Sequence, residues 1–158
     1  MKQLLTYGLL AATLLLAGCP YQSDVPIDKG SCSVPSWLPG KWQEIKQNGD
    51  GAVYDVKPDN SNASLLLVSS TAESFRKIYL SKIGNSVFIS VYEPGDDVSD
   101  EGYYIFRLMK KSSTEIELLP VKEHADVAAA GSLKEFLRLH ENDDMVYEKA
   151  ELARYKKL

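Results

Sequence analysis

Seven short and largely apolar runs, separated by turn-forming residues, constrain the fold of this chain more than any other feature of its sequence. Pairs such as Asn48-Gly49 and Gly84-Asn85 favour tight turns between neighbouring runs. The runs comprise residues 41–46, 52–57, 64–69, 75–82, 86–92, 103–110 and 115–121. Short strands at this spacing predict an antiparallel sandwich or barrel.

The periodicity of the apolar residues changes after position 131. Ser132 and Glu135 form a Ser-x-x-Glu capping box, in which both side chains satisfy free backbone N–H groups at the start of a helix. One face of that helix would carry Leu133, Phe136, Leu137 and His140. An eighth strand is predicted over residues 145–155, and a short Ala-rich helix over residues 123–130.

Several of the apolar runs have large side chains on both faces, for example residues 65–68 and 103–106. A sheet with one wet face alternates polar and apolar residues, so continuous runs predict that another element covers the second face. The helix is the expected cover. The predicted fold is therefore mainly β: an antiparallel, seven- to eight-stranded, barrel-like domain with a helix before the last strand. Its interior is expected to be filled by side chains, and an aromatic patch is expected on its surface.

The first residues have the organisation of a secretory signal. Lys2 is followed by an apolar stretch over residues 4–17 that is too short to span a membrane. The segment Leu16-Ala17-Gly18-Cys19 resembles the lipobox of bacterial lipoproteins, with an aliphatic residue, two small residues and a cysteine. The resemblance implies cleavage between Gly18 and Cys19, a diacylglyceryl thioether on Cys19, and a further acyl chain such as palmitate on its freed amine.

The residues Cys19-Pro-Tyr-Gln-Ser-Asp-Val-Pro-Ile-Asp28 are similar to the start of a group of uncharacterised small envelope lipoproteins of Gram-negative bacteria. This resemblance implies an envelope location, with the lipid bilayer as a partner through Cys19, and it carries no known activity. Pro20 stands where many lipoproteins of the inner membrane have Asp, which favours the outer membrane.

Residues 20–36 contain three Pro, one Gly and four Ser, and no apolar run. This composition predicts a flexible tether. The predicted organisation is a cleaved signal peptide over 1–18, a lipid-anchored tether over 19–36 and a single β-rich domain over 37–158. Because Cys19 would be acylated, Cys32 has no partner for a disulfide bond within the chain.

The segment Gly40-Lys41-Trp42 resembles the Gly-x-Trp motif at the start of the lipocalins. In that family the Trp closes one end of the barrel, and an Arg of the last strand lies across it. The resemblance implies a calycin-like barrel and a pair between Trp42 and Arg154, with the guanidinium over the indole face. The alternative is that Trp42 fills the core of some other small β domain.

Charge and motif content argue against several functional classes. The net charge is −4 and no Lys/Arg cluster occurs, which argues against binding to nucleic acid. No Gly-x-Ser-x-Gly motif or Gly-rich phosphate loop is present, and His124 and His140 do not form a metal-binding pair. The acidic stretch 97–102 has oxygen-bearing side chains and a glycine at the spacing of the first half of a calcium-binding loop. Leu108, however, occupies the position at which that loop requires Glu. No catalytic residue, metal site or cofactor is therefore predicted, apart from the covalent lipid.

The expected function is that of a membrane-anchored envelope lipoprotein without enzymatic activity, acting structurally or by binding an envelope protein through its surface. The alternative is a lipocalin-like binder of a small apolar ligand. The two hypotheses differ in the barrel interior: side chains fill it in the first, and a cavity of roughly 300 Å³ or more favours the second. The oligomeric state does not follow from the sequence.

Overall fold

The computed structural model describes residues 21–70, 76–93, 102–122 and 132–158. Several predictions lie outside the described residues. They are the signal peptide with its cleavage site and Cys19, most of the acidic stretch 97–102, and the short helix over 123–130, which includes His124.

In the described part of the chain, nine strands form one antiparallel sheet that closes on itself. They are β1 (Gln22–Ser23), β2 (Gly40–Lys46), β3 (Gly49–Asp59), β4 (Asn62–Ser70), β5 (Arg76–Ile83), β6 (Ser86–Glu93), β7 (Gly102–Lys110), β8 (Glu115–Pro120) and β9 (Ala153–Lys157). Strands β2 to β9 form a meander in which each strand pairs with the next, and β9 also pairs with β2. The result is a closed, eight-stranded, antiparallel barrel with β1 added beside β7. Helix α1 (Leu133–His140) precedes the last strand, so the predicted fold class is confirmed.

The seven predicted runs correspond to β2 through β8. The β5–β6 turn needs a left-handed residue, and Gly84 supplies it with φ of +57°. The predicted strand over 145–155 is wrong for most of its length, because two 3₁₀ turns occupy residues 144–146 and 149–151. Acidic side chains stabilise both turns: Asp143 accepts a hydrogen bond from the N–H of Met145, and Glu148 accepts one from the N–H of Ala150.

The barrel wall separates two apolar cores. The inner core lies in the lumen and comprises Leu38, Trp42, Val56, Leu66, Val68, Leu80, Ile89, Leu108 and Ile116. The outer core lies between the wall and α1 and comprises Ile83, Phe88, Ile105, Leu119, Val121, Leu133, Phe136, Leu137, Val146 and Tyr147. The three apolar helix residues Leu133, Phe136 and Leu137 are all buried there, so the prediction that α1 covers the outer face of the sheet is confirmed.

Residues 21–31 lie along the barrel wall, whereas Cys32, Val34 and Trp37 pack against the inner core, of which Leu38 is part. The N–H of Ile27 donates to Ser90 Oγ at 3.2 Å, and the N–H of Ser31 donates to the Leu80 carbonyl at 3.1 Å. The expectation of a flexible tether therefore does not describe residues 21–36, which lie against the barrel. The expectation was based on the amino-acid composition of the segment. Composition cannot show that polar groups of the barrel wall form hydrogen bonds with the backbone of this segment.

Candidate functional site

The barrel lumen contains an apolar cavity of about 190 Å³. Its lining is formed by Leu38, Trp42, Tyr54, Val56, Leu66, Val68, Arg76, Ile78, Ile89, Val91, Phe106, Leu108, Ile116, Leu118 and Tyr155. The interior is therefore not filled as predicted, although the cavity is smaller than the roughly 300 Å³ that was expected of a ligand-binding barrel. Many of the bulky residues on β5 to β8 point outward into the outer core, and the inward residues are mostly branched aliphatic side chains that leave space at the centre.

Trp42 closes one end of this lumen. Its side chain is buried, with 2% of its surface exposed, and the indole N–H donates to the Leu38 carbonyl at 2.8 Å. The prediction that Trp42 is buried is thus confirmed. Leu38 lies two residues before β2 and packs in the inner core. This hydrogen bond therefore holds the segment before β2 against the end of the barrel that Trp42 closes.

The cation that faces Trp42 is Lys157 and not Arg154. Lys157 Nζ lies 5.4 Å from the centroid of the indole ring and donates to the Trp37 carbonyl at 2.7 Å. Arg154 is 62% exposed, and its Nε lies 3.2 Å from Glu117 Oε1 on the outside of the barrel. The predicted Trp42–Arg154 pair is therefore wrong. Strand residues alternate between faces, so Lys157 shares the inner face with Tyr155 and Arg154 does not.

The opposite end of the cavity carries an ion pair. Arg76, the first residue of β5, lines the cavity and donates from Nη2 to Glu93 Oε1 at 2.9 Å. Glu93 is the last residue of β6. Because β5 begins at the barrel end opposite to the start of β2, this pair lies at the other end of the lumen from Trp42.

Two tyrosines contribute to the lining between these ends. The rings of Tyr54 and Tyr155 meet edge to face, with centroids 5.8 Å apart. Burial, with smaller contributions from Tyr54 and Glu44, raises the pKa of Tyr155. The Tyr155 hydroxyl therefore stays protonated at neutral pH. Among the residues that line the cavity, the charged one is Arg76.

The remaining residues singled out by the sequence have no partners for catalysis in the described structure. His140 ends α1 half-exposed, with its ring 4.9 Å from that of Phe136 and its Nδ1 3.9 Å from Asp143 Oδ2. Cys32 is a half-buried free thiol beside the inner core, and burial raises its pKa. Within residues 21–70, 76–93, 102–122 and 132–158, no three His, Cys, Asp or Glu residues are grouped so as to hold a metal ion.

Asp28 is a residue that sequence reasoning missed. Its Oδ1 accepts hydrogen bonds from Ser81 Oγ at 2.6 Å and from the N–H of Gly30 at 3.0 Å, and its Oδ2 accepts one from Lys134 Nζ at 2.8 Å. Burial acts to raise the pKa of Asp28, but these hydrogen bonds and one from Ser31 outweigh it and hold the pKa below its usual value. Asp28 therefore fastens the N-terminal segment to both the barrel and the helix.

The predicted aromatic surface patch is present only as a half-buried cluster. The ring of Tyr103 lies 6.1 Å from that of Tyr79 and 5.4 Å from that of Tyr92, on the outside of β5, β6 and β7. The large apolar side chains that are most exposed among the described residues are Val25, Ile45, Leu139, Met145 and Leu158.

Comparisons with known proteins add no relative to this picture. No family model, no curated protein and no solved structure matches the chain. No helix among the described residues is long and apolar enough to cross a bilayer. The barrel, its cavity and the sequence of the N-terminus are the features that indicate a function.

Proposed function

We propose that this protein is a lipid-anchored, non-enzymatic protein of the bacterial envelope whose barrel binds a small apolar ligand. The cavity carries this proposal. An apolar cavity of about 150 Å³ stays free of water and binds benzene, whereas pockets for drug-sized molecules begin at about 300 Å³. A cavity of about 190 Å³ suits a ligand of roughly six to ten non-hydrogen atoms, or the end of a longer chain.

The ion pair at one end supports a ligand that has a polar terminus. Ligand pockets combine an apolar lining with a few polar groups that fix orientation. Arg76 and Glu93 are about one-third exposed, so they combine contact with the cavity and contact with water. An amphiphile would place its apolar end towards Trp42 and its polar end beside this pair.

The cavity-filling variant Val68→Phe tests ligand binding. Val68 lines the cavity, whereas its neighbour Ser69 faces outward, so Ser69→Phe is a matched control. Titration with alkanoic acids and alcohols of about four to about twelve carbons, followed by tryptophan emission, should show saturable binding that strengthens with length until the cavity is full. Val68→Phe should weaken binding at least about tenfold (about 1.4 kcal/mol), and Ser69→Phe should leave it unchanged.

Absence of saturable binding across both series would reject the ligand proposal. A structural or protein-binding role for the surface would then be favoured. The cluster of Tyr79, Tyr92 and Tyr103 supports that second candidate, since half-buried tyrosines offer both apolar area and a hydroxyl to a partner.

The lipid anchor is proposed from the sequence Leu16-Ala17-Gly18-Cys19. A single acyl chain holds a protein only marginally, whereas two or three anchor it stably. In cells supplied with labelled palmitate, Cys19→Ala should leave an uncleaved, unlabelled precursor, and Cys32→Ala should be processed and labelled like the wild type. Labelling of Cys19→Ala would contradict the anchor.

A further inference from the structure

The chain joins the barrel wall at Tyr21, the first described residue. The N–H of Tyr21 donates to the Val121 carbonyl at 2.8 Å, directly after β8 ends. The next two residues form β1, in which Gln22 pairs with Tyr104 and Ser23 with Tyr103 of β7. The N-terminal segment is thus hydrogen-bonded to the wall from the second residue after Cys19 and part of the sheet from the third.

The chain between Cys19 and Tyr21 is too short to act as a spacer. Two residues of extended chain span at most about 7 Å, whereas a flexible coil of 17 residues would span roughly 20–25 Å. The polar region between bilayer hydrocarbon and water is itself about 5–8 Å deep. Acyl chains on Cys19 that reach the hydrocarbon therefore hold the wall near Tyr21 within the polar surface of the bilayer.

We infer that the outer wall around Tyr21 rests on the membrane surface, so that the barrel lies directly against the bilayer. This inference depends on the lipid anchor proposed above and is independent of ligand binding. The partner is a lipid surface, and the contact involves the wall at β1 and β7 together with the segments beside it.

The residues around this point suit such a contact. Val25 follows β1 by two residues and is 64% exposed. Met145 is also 64% exposed, and it precedes Val146, whose carbonyl accepts a hydrogen bond from Lys122 beside Val121. Two exposed apolar side chains therefore lie near the point where the chain joins the wall, one after β1 and the other beside the end of β8.

Tyrosine side chains extend this surface along the wall. Tyr103 is paired with Ser23 of β1, and its ring contacts those of Tyr79 and Tyr92. Tyrosine is enriched where one end of a side chain is in an apolar environment and the other is hydrated, as at the headgroup level of a membrane. The cluster therefore has the chemistry that an interfacial contact requires.

Depth-dependent quenching on the acylated full-length protein tests this inference. In a Cys32→Ser background, an environment-sensitive fluorophore is attached at Val25→Cys or, as a control, at Lys57→Cys. Lys57 is exposed on the outside of β3, which lies across the barrel from β7. Each protein is reconstituted into phosphatidylethanolamine–phosphatidylglycerol vesicles that carry nitroxide-labelled headgroups.

The probe at position 25 is expected to be quenched at least about twice as strongly as the probe at position 57, because only the former lies within the headgroup layer. Flotation of the vesicles reports the anchor separately. Equal quenching at the two positions in protein that floats would overturn the inference and leave the anchor intact. Protein that does not float would overturn both.

Discussion

At the scale of single residues, Asp28 joins three parts of the chain that lie far apart in sequence. Its carboxylate binds Ser81, which is 53 positions away and fully buried, and Lys134, which is 106 positions away. No local pattern marks a residue whose partners are so distant. The consequence is that a segment with the composition of a tether is fastened to the barrel by one acidic side chain.

Replacement of Asp28 should destabilise the fold in two steps. Asp28→Asn keeps an oxygen acceptor for Ser81 and loses the charge and the hydrogen-bond acceptor that face the half-exposed Lys134. We therefore expect a loss of about 1 kcal/mol or less in the free energy of unfolding. Asp28→Ala also leaves the buried Ser81 hydroxyl without this acceptor, so a loss of about 1–3 kcal/mol is expected. Urea titrations at neutral pH measure both, and equal losses would contradict the role assigned to Ser81.

The same carboxylate predicts a dependence of stability on pH. Because the pKa of Asp28 is lowered in the fold, its ionised form stabilises the native state above the unfolded pKa of about 3.9. That contribution disappears as the pH falls through the lower, folded pKa. The difference in unfolding free energy between wild type and Asp28→Asn should therefore shrink below about pH 4. A difference that stays constant from neutral to strongly acidic pH would contradict this assignment.

At the scale of elements, the turn residues and the helix N-cap predicted their elements correctly, whereas the apolar pattern of residues 145–155 and the composition of residues 20–36 did not. The helix start was predictable because Ser132 Oγ accepts a hydrogen bond from the N–H of Glu135 within the same turn. The strand predicted over 145–155 was not, because Asp143 and Glu148 stabilise turns that compete with strand pairing. Strand β1 was missed because two residues carry no periodic pattern.

Phe136→Ala tests the helix as a cover for the sheet. Phe136 is fully buried in the outer core, so the substitution should cost about 3–5 kcal/mol and shift the urea midpoint strongly. Leu139→Ala is the matched control, because Leu139 is on the same helix and 60% exposed, and it should change stability by less than about 0.5 kcal/mol. Similar midpoints for the two variants would show that α1 does not cover the sheet.

At the scale of the whole molecule, the closed barrel was predictable and its cavity was not. Strand number and spacing follow from the turn residues, but the face that each strand turns inward depends on register across the barrel. Residues Leu66, Val68, Ile89 and Val91 line the lumen, whereas Phe88, Ile105 and Leu119 of the same strands or their neighbours face the helix. Bulky residues occupy both alternating sets of positions along these strands. The sequence alone therefore did not show which set would pack against the helix and which would face the lumen.

Barrel closure depends on β9, and Arg154 offers a way to test closure without disturbing either core. Arg154 pairs with Ile45 of β2 and Glu117 of β8, while its exposed side chain makes an ion pair only on the outer surface among the contacts described. Arg154→Pro removes a ladder N–H from a strand that is paired on both sides and should cost about 2–4 kcal/mol. Arg154→Ala removes only a surface ion pair, at about 0–1 kcal/mol, and should leave the emission of Trp42 unchanged because Lys157 is the cation at its ring. Arg154→Pro should lower the urea midpoint measured by tryptophan emission and the one measured by far-ultraviolet circular dichroism to the same extent. The reason is that both cores pack against the wall that β9 closes. A proline variant as stable as the alanine variant would mean that β9 does not hold the barrel shut.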